Sequence, residues 1–424
     1  MKDVEDVEDV EDVEDVVVVV KNGRPTKTKT KTKTPGDFLR WVDQGAYTAA
    51  GLYGASASGD APIHEEEEEE EEEETKDVRN ERNVTPPPLT LPFFDKHLAR
   101  LHLSLSLLAR ETWKVTLEKD HAKARDRIEQ DVKKNLLVAF KHFRTYGTGN
   151  ENGTSTRSKV VMVTIALKPV ASCENAACEG VEGAEGAEGG GESSERLRAP
   201  QQPVPLSCYV HLCTVPVTRR PVKLLLKTFE GRSLPAAKSV HWAWERLPLE
   251  KCLSEAQGTS EVLMVSKNGN ILEGMRSNFF VIRKVHEDVK GGEDEDDDVS
   301  EPCSLCIQTT PLEDGILPGI VRSVVLDIAE KLGMITLESS PKLCESELWL
   351  ESFITSGVKL LQPVKHIVSH CQSQSLESDS SLPPLQQIVV EKEFTHAPGA
   401  WTTRIHEEIM ASVRKSTQGL TMPL

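Results

Sequence analysis

The sequence has no apolar run close to the roughly 20 residues that a helix needs to cross a bilayer. Residues 16–20, five valines in a row, are far too short. The start is acidic, so it matches neither a secretory leader nor an Arg/Ser-rich transit peptide. A soluble, cytoplasmic protein without a membrane or nucleic-acid partner is expected. Cysteine is sparse and odd in number, at nine. The pair Cys303-Ser-Leu-Cys306 has no second pair at zinc spacing, so free thiols and no metal site are expected. No G-x-S-x-G, H-E-x-x-H or Walker loop is present, which removes the commonest signatures of serine hydrolases, zinc peptidases and nucleoside triphosphatases.

Acidic residues, by contrast, are abundant, and the net charge is −18. That charge is unevenly spread. Tracts at 3–15, 65–74, 174–195 and 287–301 hold 35 of the 68 Asp and Glu residues. What remains carries more Lys and Arg than Asp and Glu, so the part that folds is mildly basic.

Organisation follows from pattern. Residues 1–35 combine Asp/Glu-Val repeats with a Lys-Thr alternation and are expected to form a disordered tail. An N-terminal α/β domain is expected over 36–225, with insertions near 55–88 and 174–203. A C-terminal domain is expected over 226–424, with insertions near 286–302 and 371–384. In the first, Leu98, Leu101, Leu103, Leu107 and Leu108 form a helical stripe, residues 117–142 read as a second helix, and 159–167 and 208–217 read as strands. The glycines of 180–191 recur with glutamates, which would repel phosphate, and so read as a flexible insertion. In the second, Asn268-Gly269 between apolar runs is a hairpin signal. Residues 279–282 read as another strand. Pro318-Gly319 introduces an apolar helix over 320–332, stopped by Gly333. A short helix near 345–350, a strand at 353–355, a turn at Gly357 and a strand at 363–367 follow. Alternating strands and helices give the class α/β (α+β), in two lobes.

Six short segments carry the chemistry: Gly45-Ala-Tyr-Thr48, His97-Leu-Ala-Arg-Leu101, Ala237-Lys-Ser239, Leu272-Glu-Gly-Met-Arg-Ser-Asn-Phe-Phe280, Ile316-Leu-Pro-Gly-Ile-Val-Arg322 and Phe353-Ile-Thr-Ser-Gly357. In this order and spacing they resemble the class IV enzymes dependent on pyridoxal 5'-phosphate, which include D-amino-acid and branched-chain aminotransferases and aminodeoxychorismate lyase. The resemblance runs from about Trp41 to Arg404. It implies a two-domain class IV fold with the cofactor between the domains, and a homodimer.

The resemblance makes Lys238, 35 residues before Glu273, the catalytic residue and the one that forms a Schiff base with the cofactor aldehyde. A lysine suits the role because partial desolvation readily frees its amine as a nucleophile and then as a base. Lys223 and Lys227 are nearby rivals. Glu273 is the implied partner of the pyridine nitrogen, keeping it protonated so that the ring can take up electron density. Asn278 belongs to the same segment. Phosphate contacts fall to Arg100 and to Gly319, Ile320 and Val321, where a helix start offers unpaired N–H groups. Ser356 and Gly357 join them. Tyr47 and Val358 are the expected substrate-binding residues, with a core tyrosine as the alternative for Tyr47. His241 reads as a core histidine rather than a base.

Three positions depart from the resembled pattern. Val321 and Gly357 stand where relatives tend to have threonine, and Ala243 stands where branched-chain enzymes place tyrosine. The expected function is amino transfer between an amino acid and a 2-oxo acid. The alternatives are a lyase releasing pyruvate and a non-catalytic interaction protein on the same fold.

Overall fold

The computed structural model describes residues 17–26, 34–54, 89–113, 120–147, 159–170, 204–216, 220–229, 231–256, 258–285, 304–371 and 387–416. It is a mixed α/β structure built on two sheets.

The first sheet is antiparallel, in the order β2-β1-β6-β5-β3-β4. Its strands are β1 (Val18–Lys21), β2 (Arg24–Pro25), β3 (Ala46–Gly54), β4 (Leu89–Thr90), β5 (Lys159–Pro169) and β6 (Leu206–Pro216). Helices α2 (Phe94–Leu108) and α3 (His121–Gly147) cover one face, where Leu98, Leu101, Leu105 and Leu136 pack on Val163, Ile165 and Leu212. Helix α1 (Pro35–Val42) packs Phe38, Leu39 and Val42 on the other, against Tyr47, Ala166 and Tyr209.

Within the tail expected to be disordered over residues 1–35, the described residues 17–26 instead form strands β1 and β2. Val18 and Val20 point into the α2–α3 core and Val19 into the α1 core. A strand buried on both faces has no polar alternation to display, so an unbroken valine run suits it. Asn22 and Gly23, both with positive φ, turn the chain into β2 as the Asn-Gly hairpin signal requires. The Asn22 side chain accepts from the Cys208 N–H at 2.8 Å, fixing the register on β6.

The second sheet has nine strands. They are β7 (Val222–Thr228), β8 (Glu261–Val265), β9 (Ile271–Gly274), β10 (Asn278–Val285), β11 (Ser304–Thr309), β12 (Ile335–Glu338), β13 (Trp349–Ser356), β14 (Leu360–Cys371) and β15 (Gln387–Glu393). The path β10-β13-β14-β7-β8-β9 closes on itself, because β9 also pairs β10 at Glu273 and Asn278. Val222, Leu224, Leu263, Phe279, Val281 and Ile354 form one core of this ring. Successive strand residues face opposite ways, so Phe280 and Ile282 pack instead with α6 (Ile320–Lys331) and α7 (Ala400–Ser416). Helices α4 (Trp242–Glu245) and α5 (Leu247–Glu255) connect β7 to β8.

The domain boundary expected at residues 225 and 226 falls inside β7, which pairs with β8 and β14. The helix expected over 117–142 starts at His121, and the short helix near 345–350 is a 3-10 turn over Leu343–Leu348. Apart from Cys371 in β14, the four expected insertions lie outside the described residues. Among the described residues, no helix is long and apolar enough to cross a membrane.

Candidate active site

The short loop before α4 carries Lys238, and β3 of the first sheet and helix α2 hold it. Tyr47 N–H donates to the Lys238 carbonyl at 2.9 Å, and Val240 N–H donates to the Gly45 carbonyl at 2.8 Å. Lys238 N–H donates to Ser104 Oγ on α2 at 3.0 Å. The backbone is thus pinned on both sides, and the side chain enters a cavity of about 550 Å³. That volume lies within the range of about 300–1,000 Å³ usual for small-molecule sites. All eleven residues expected from the sequence line it: Tyr47, Arg100, Lys238, Glu273, Asn278, Gly319, Ile320, Val321, Ser356, Gly357 and Val358. The rivals Lys223 and Lys227 do not.

The Lys238 amine lies 4.7 Å from the Tyr47 ring centroid. Burial is the largest influence on it, and the charges of Arg100, Arg232 and Arg246 add to the effect. They hold its pKa well below the usual lysine value, against an opposing pull from Glu273. This has a consequence for stability. A lysine whose folded pKa is depressed penalises the folded state most at low pH, and the penalty fades as pH rises toward the unfolded value. Lys238→Met should therefore melt above the unaltered protein at pH 7, with the gap closing as pH approaches about 10.4. A lower melting temperature for the variant at pH 7 would contradict the placement of the amine.

Glu273, at the end of β9, is 2% exposed. Its Oε1 accepts from Arg232 Nε at 2.7 Å. Its Oε2 accepts from Leu317 N–H at 3.2 Å and Asn278 Nδ2 at 3.3 Å. Arg232 was not expected from the sequence. It stands six residues before Lys238 and lies over the Trp242 ring at 4.0 Å, and neither feature leaves a spacing signal.

At the other end, Arg100 Nη2 donates to Thr48 Oγ1 at 2.6 Å. Thr48 Oγ1 also lies 2.5 Å from His97 Nδ1. Thr48 Oγ1 thus bridges Arg100 and His97. Burial, Arg100 and Lys238 hold the His97 pKa well below the usual imidazole value, which keeps the ring neutral. Burial likewise brings Arg100 down to about 10, with Tyr47 opposing and Arg232 assisting. Thr48 and His97 belong to the sequence motifs, but nothing in the spacing of those motifs marks them as partners of Arg100. His241, expected in the core, is instead exposed and sits 3.6 Å from Glu245.

Helix α6 begins at the cavity wall with Gly319 as its cap and no side-chain capping bond. Its first N–H groups therefore face an anion-favouring position. Any side chain here would have to displace its neighbour, because a Cβ on Gly319 would run into Asn278 Oδ1. The same holds for Gly357, where a Cβ would lie 2.5 Å from the Ala49 carbonyl oxygen. The departure from threonine at 357 thus has a steric cause in how closely β3 approaches this turn. Ala243 lies in the core with Phe38 and Leu39 and does not line the cavity.

The polar atoms left over indicate what this cavity can hold. Arg100 Nε, Arg232 Nη1, Thr164 Oγ1, Ser277 Oγ and Thr355 Oγ1 are buried without a partner, and each belongs to a cavity-lining residue. Buried donors without partners are costly. Such a set suits a polar, anionic guest. Pyridoxal phosphate fits: Arg100 and the α6 N-terminus suit its phosphate, Glu273 its ring nitrogen and Lys238 its aldehyde.

Residues 228–367 match the family model for amino-transferase class IV. A search of curated proteins finds no match. Among solved structures, a hypothetical aminotransferase from Mycobacterium tuberculosis is 14% identical, with 94% of this chain and 99% of that one covered and a TM-score of 0.49. The branched-chain aminotransferase of Thermoproteus uzoniensis is 16% identical over 94% and 95%, with a TM-score of 0.46. A putative branched-chain amino acid aminotransferase from Thermotoga maritima is 14% identical over 95% and 99%, with a TM-score of 0.49. The resemblance to the class IV amino-transferases, a pyridoxal-phosphate-dependent family, is therefore shown through residues 228–367, the stretch that contains Lys238, Glu273, the start of α6 and the Ser356–Gly357 turn.

Proposed function

We propose that the protein is an aminotransferase that uses pyridoxal 5'-phosphate to move an amino group between an amino acid and a 2-oxo acid. One observation carries the reading: a desolvated lysine amine, a buried carboxylate and an open helix N-terminus converge on one cavity. Bound pyridoxal phosphate supplies an aldehyde that condenses with amines and a ring that takes up electron density from a substrate carbon. Lys238, deprotonated well below the usual lysine range, supplies a nucleophilic amine and can then carry a proton to and from the substrate Cα. Glu273 is held rigid by three donors and places negative charge at the ring nitrogen. Arg100, braced by Thr48, and the N–H groups of Ile320 and Val321 hold the phosphate, while Ser356, Gly357 and Val358 close the wall beside it. Tyr47 stacks on the lysine and bounds the substrate space. The homodimer implied by the family resemblance is part of this reading.

The test is a half-reaction. The protein loaded with pyridoxal phosphate is mixed with a panel of single amino acids, and 2-oxo acid formation and cofactor absorbance are followed. Stoichiometric 2-oxo acid, with the amino group then passed to an added 2-oxo acid, is the expected result. Pyruvate released catalytically with no amino acceptor would favour a lyase. No cofactor absorbance at all would favour a binding protein.

A further inference from the structure

The cavity has a second charged wall that the cofactor reading leaves unused, built where α1 meets α5. Arg246 sits at the α4–α5 junction and is 5% exposed. Its Nε donates to Glu250 Oε1 at 2.9 Å. The other oxygen of Glu250 accepts from Arg40 Nη1 at 3.3 Å. Arg40 in turn holds Asp37 at 2.9 Å and donates to the Ala243 carbonyl at 3.2 Å. The two acids of this cluster are thus engaged by Arg40 and by a single nitrogen of Arg246. The terminal Nη1 and Nη2 of Arg246 make no hydrogen bond to another described residue, although the residue lines the cavity.

The Nη2 atoms of Arg40 and Arg246 lie 3.3 and 3.4 Å from where a Cβ on Gly36 would stand. Gly36, in the first turn of α1, therefore lies close to both guanidinium groups, and a side chain there would press on them. The charge of Arg246 is felt at the Lys238 amine and at Glu261, both of which line the same cavity. The expected phosphate contacts come from α2 and α6, a different wall. A buried guanidinium with an unspent planar fork, anchored through Glu250 and lining the same cavity as the reactive amine, is matched in shape and charge by a carboxylate.

We infer that Arg246 binds a carboxylate of the amino-acid or 2-oxo-acid substrate, with Glu250 and Arg40 as positioning residues that aim its fork. The inference rests on the proposed amino transfer for the identity of the guest, while the binding itself can be measured apart from it.

Calorimetric titration of the full chain loaded with cofactor, using propionate and glutarate as carboxylate probes, should show binding that Arg246→Gln weakens by about 10-fold or more, the scale of a lost charged hydrogen-bond pair. Arg246→Lys keeps the charge and should retain part of it, and thermal melting of both variants checks folding. In the half-reaction, Arg246→Gln should raise KM for amino acids by more than it raises KM for an amine that has no carboxylate. Glu250→Gln should move KM in the same direction by less. Loss for monocarboxylic and dicarboxylic amino acids alike assigns the fork to the carboxylate on Cα; loss for dicarboxylic ones alone assigns it to the distal carboxylate. Equal probe affinity in folded Arg246→Gln and the unaltered protein would overturn the inference, as would no binding of either probe to the unaltered protein. Absence of amino transfer would count against the proposed function, and the titration would still decide the role of Arg246.

Discussion

Lys238→Ala is expected to lower the rate of amino transfer by about 10³-fold or more, within the range of about 10²–10⁴ for a lost acid–base group and with the nucleophile gone as well. The fold should survive, because the two hydrogen bonds that pin residue 238 are made by its backbone to Ser104 and Tyr47. The vacated space opens onto the cavity, so a small primary amine added to the assay should restore part of the rate in proportion to its free-base concentration. A variant that turns over at the original rate would remove Lys238 from the chemistry.

The second large effect concerns Glu273 and separates stability from catalysis. Glu273→Ala strands Arg232, whose side chain is 4% exposed and whose Nη1 already lacks a partner. Breaking a buried ion pair from one side costs about 3–5 kcal/mol, and the Leu317 N–H and Asn278 amide lose their acceptor as well. Urea unfolding should register that loss. Adding Arg232→Met should recover much of the stability, since a buried pair replaced by apolar groups of similar volume is often close to neutral. Activity should not return in the double variant, because no carboxylate faces the ring nitrogen. Recovery of both together would mean that Glu273 serves only to balance Arg232.

What could be read in advance divides along physical lines. Local signals worked where one segment decides its own conformation. Pro318-Gly319 and Gly333 bracket α6, and Asn268-Gly269 turns β8 into β9. The strand at β10 was legible because its aromatic and β-branched residues face two cores at once. Strand β1 was hidden by its neighbours: repeats on both sides swamped a valine run whose partner, β6, lies far along the chain. Strand β11 sits just behind an acidic tract and was passed over as a cysteine pair. The same division holds in the site. The segments around Lys238, Glu273 and Ile320 stand out as ordered motifs. The pairing of Arg232 with Glu273 spans 41 positions, that of Arg100 with Thr48 spans 52, and that of Arg40 with Glu250 spans 210. Such partnerships depend on which elements meet, and no spacing along the chain announces them.

Lys238 is the residue on which the account turns, and its amine can be trapped directly. The protein loaded with pyridoxal phosphate is reduced with borohydride, digested and mapped by mass spectrometry. One cofactor equivalent per chain on the peptide bearing Lys238, with the visible absorbance discharged in step, is the predicted result. Label spread over other lysines such as Lys223 and Lys227, or no stable label on Lys238, would contradict it.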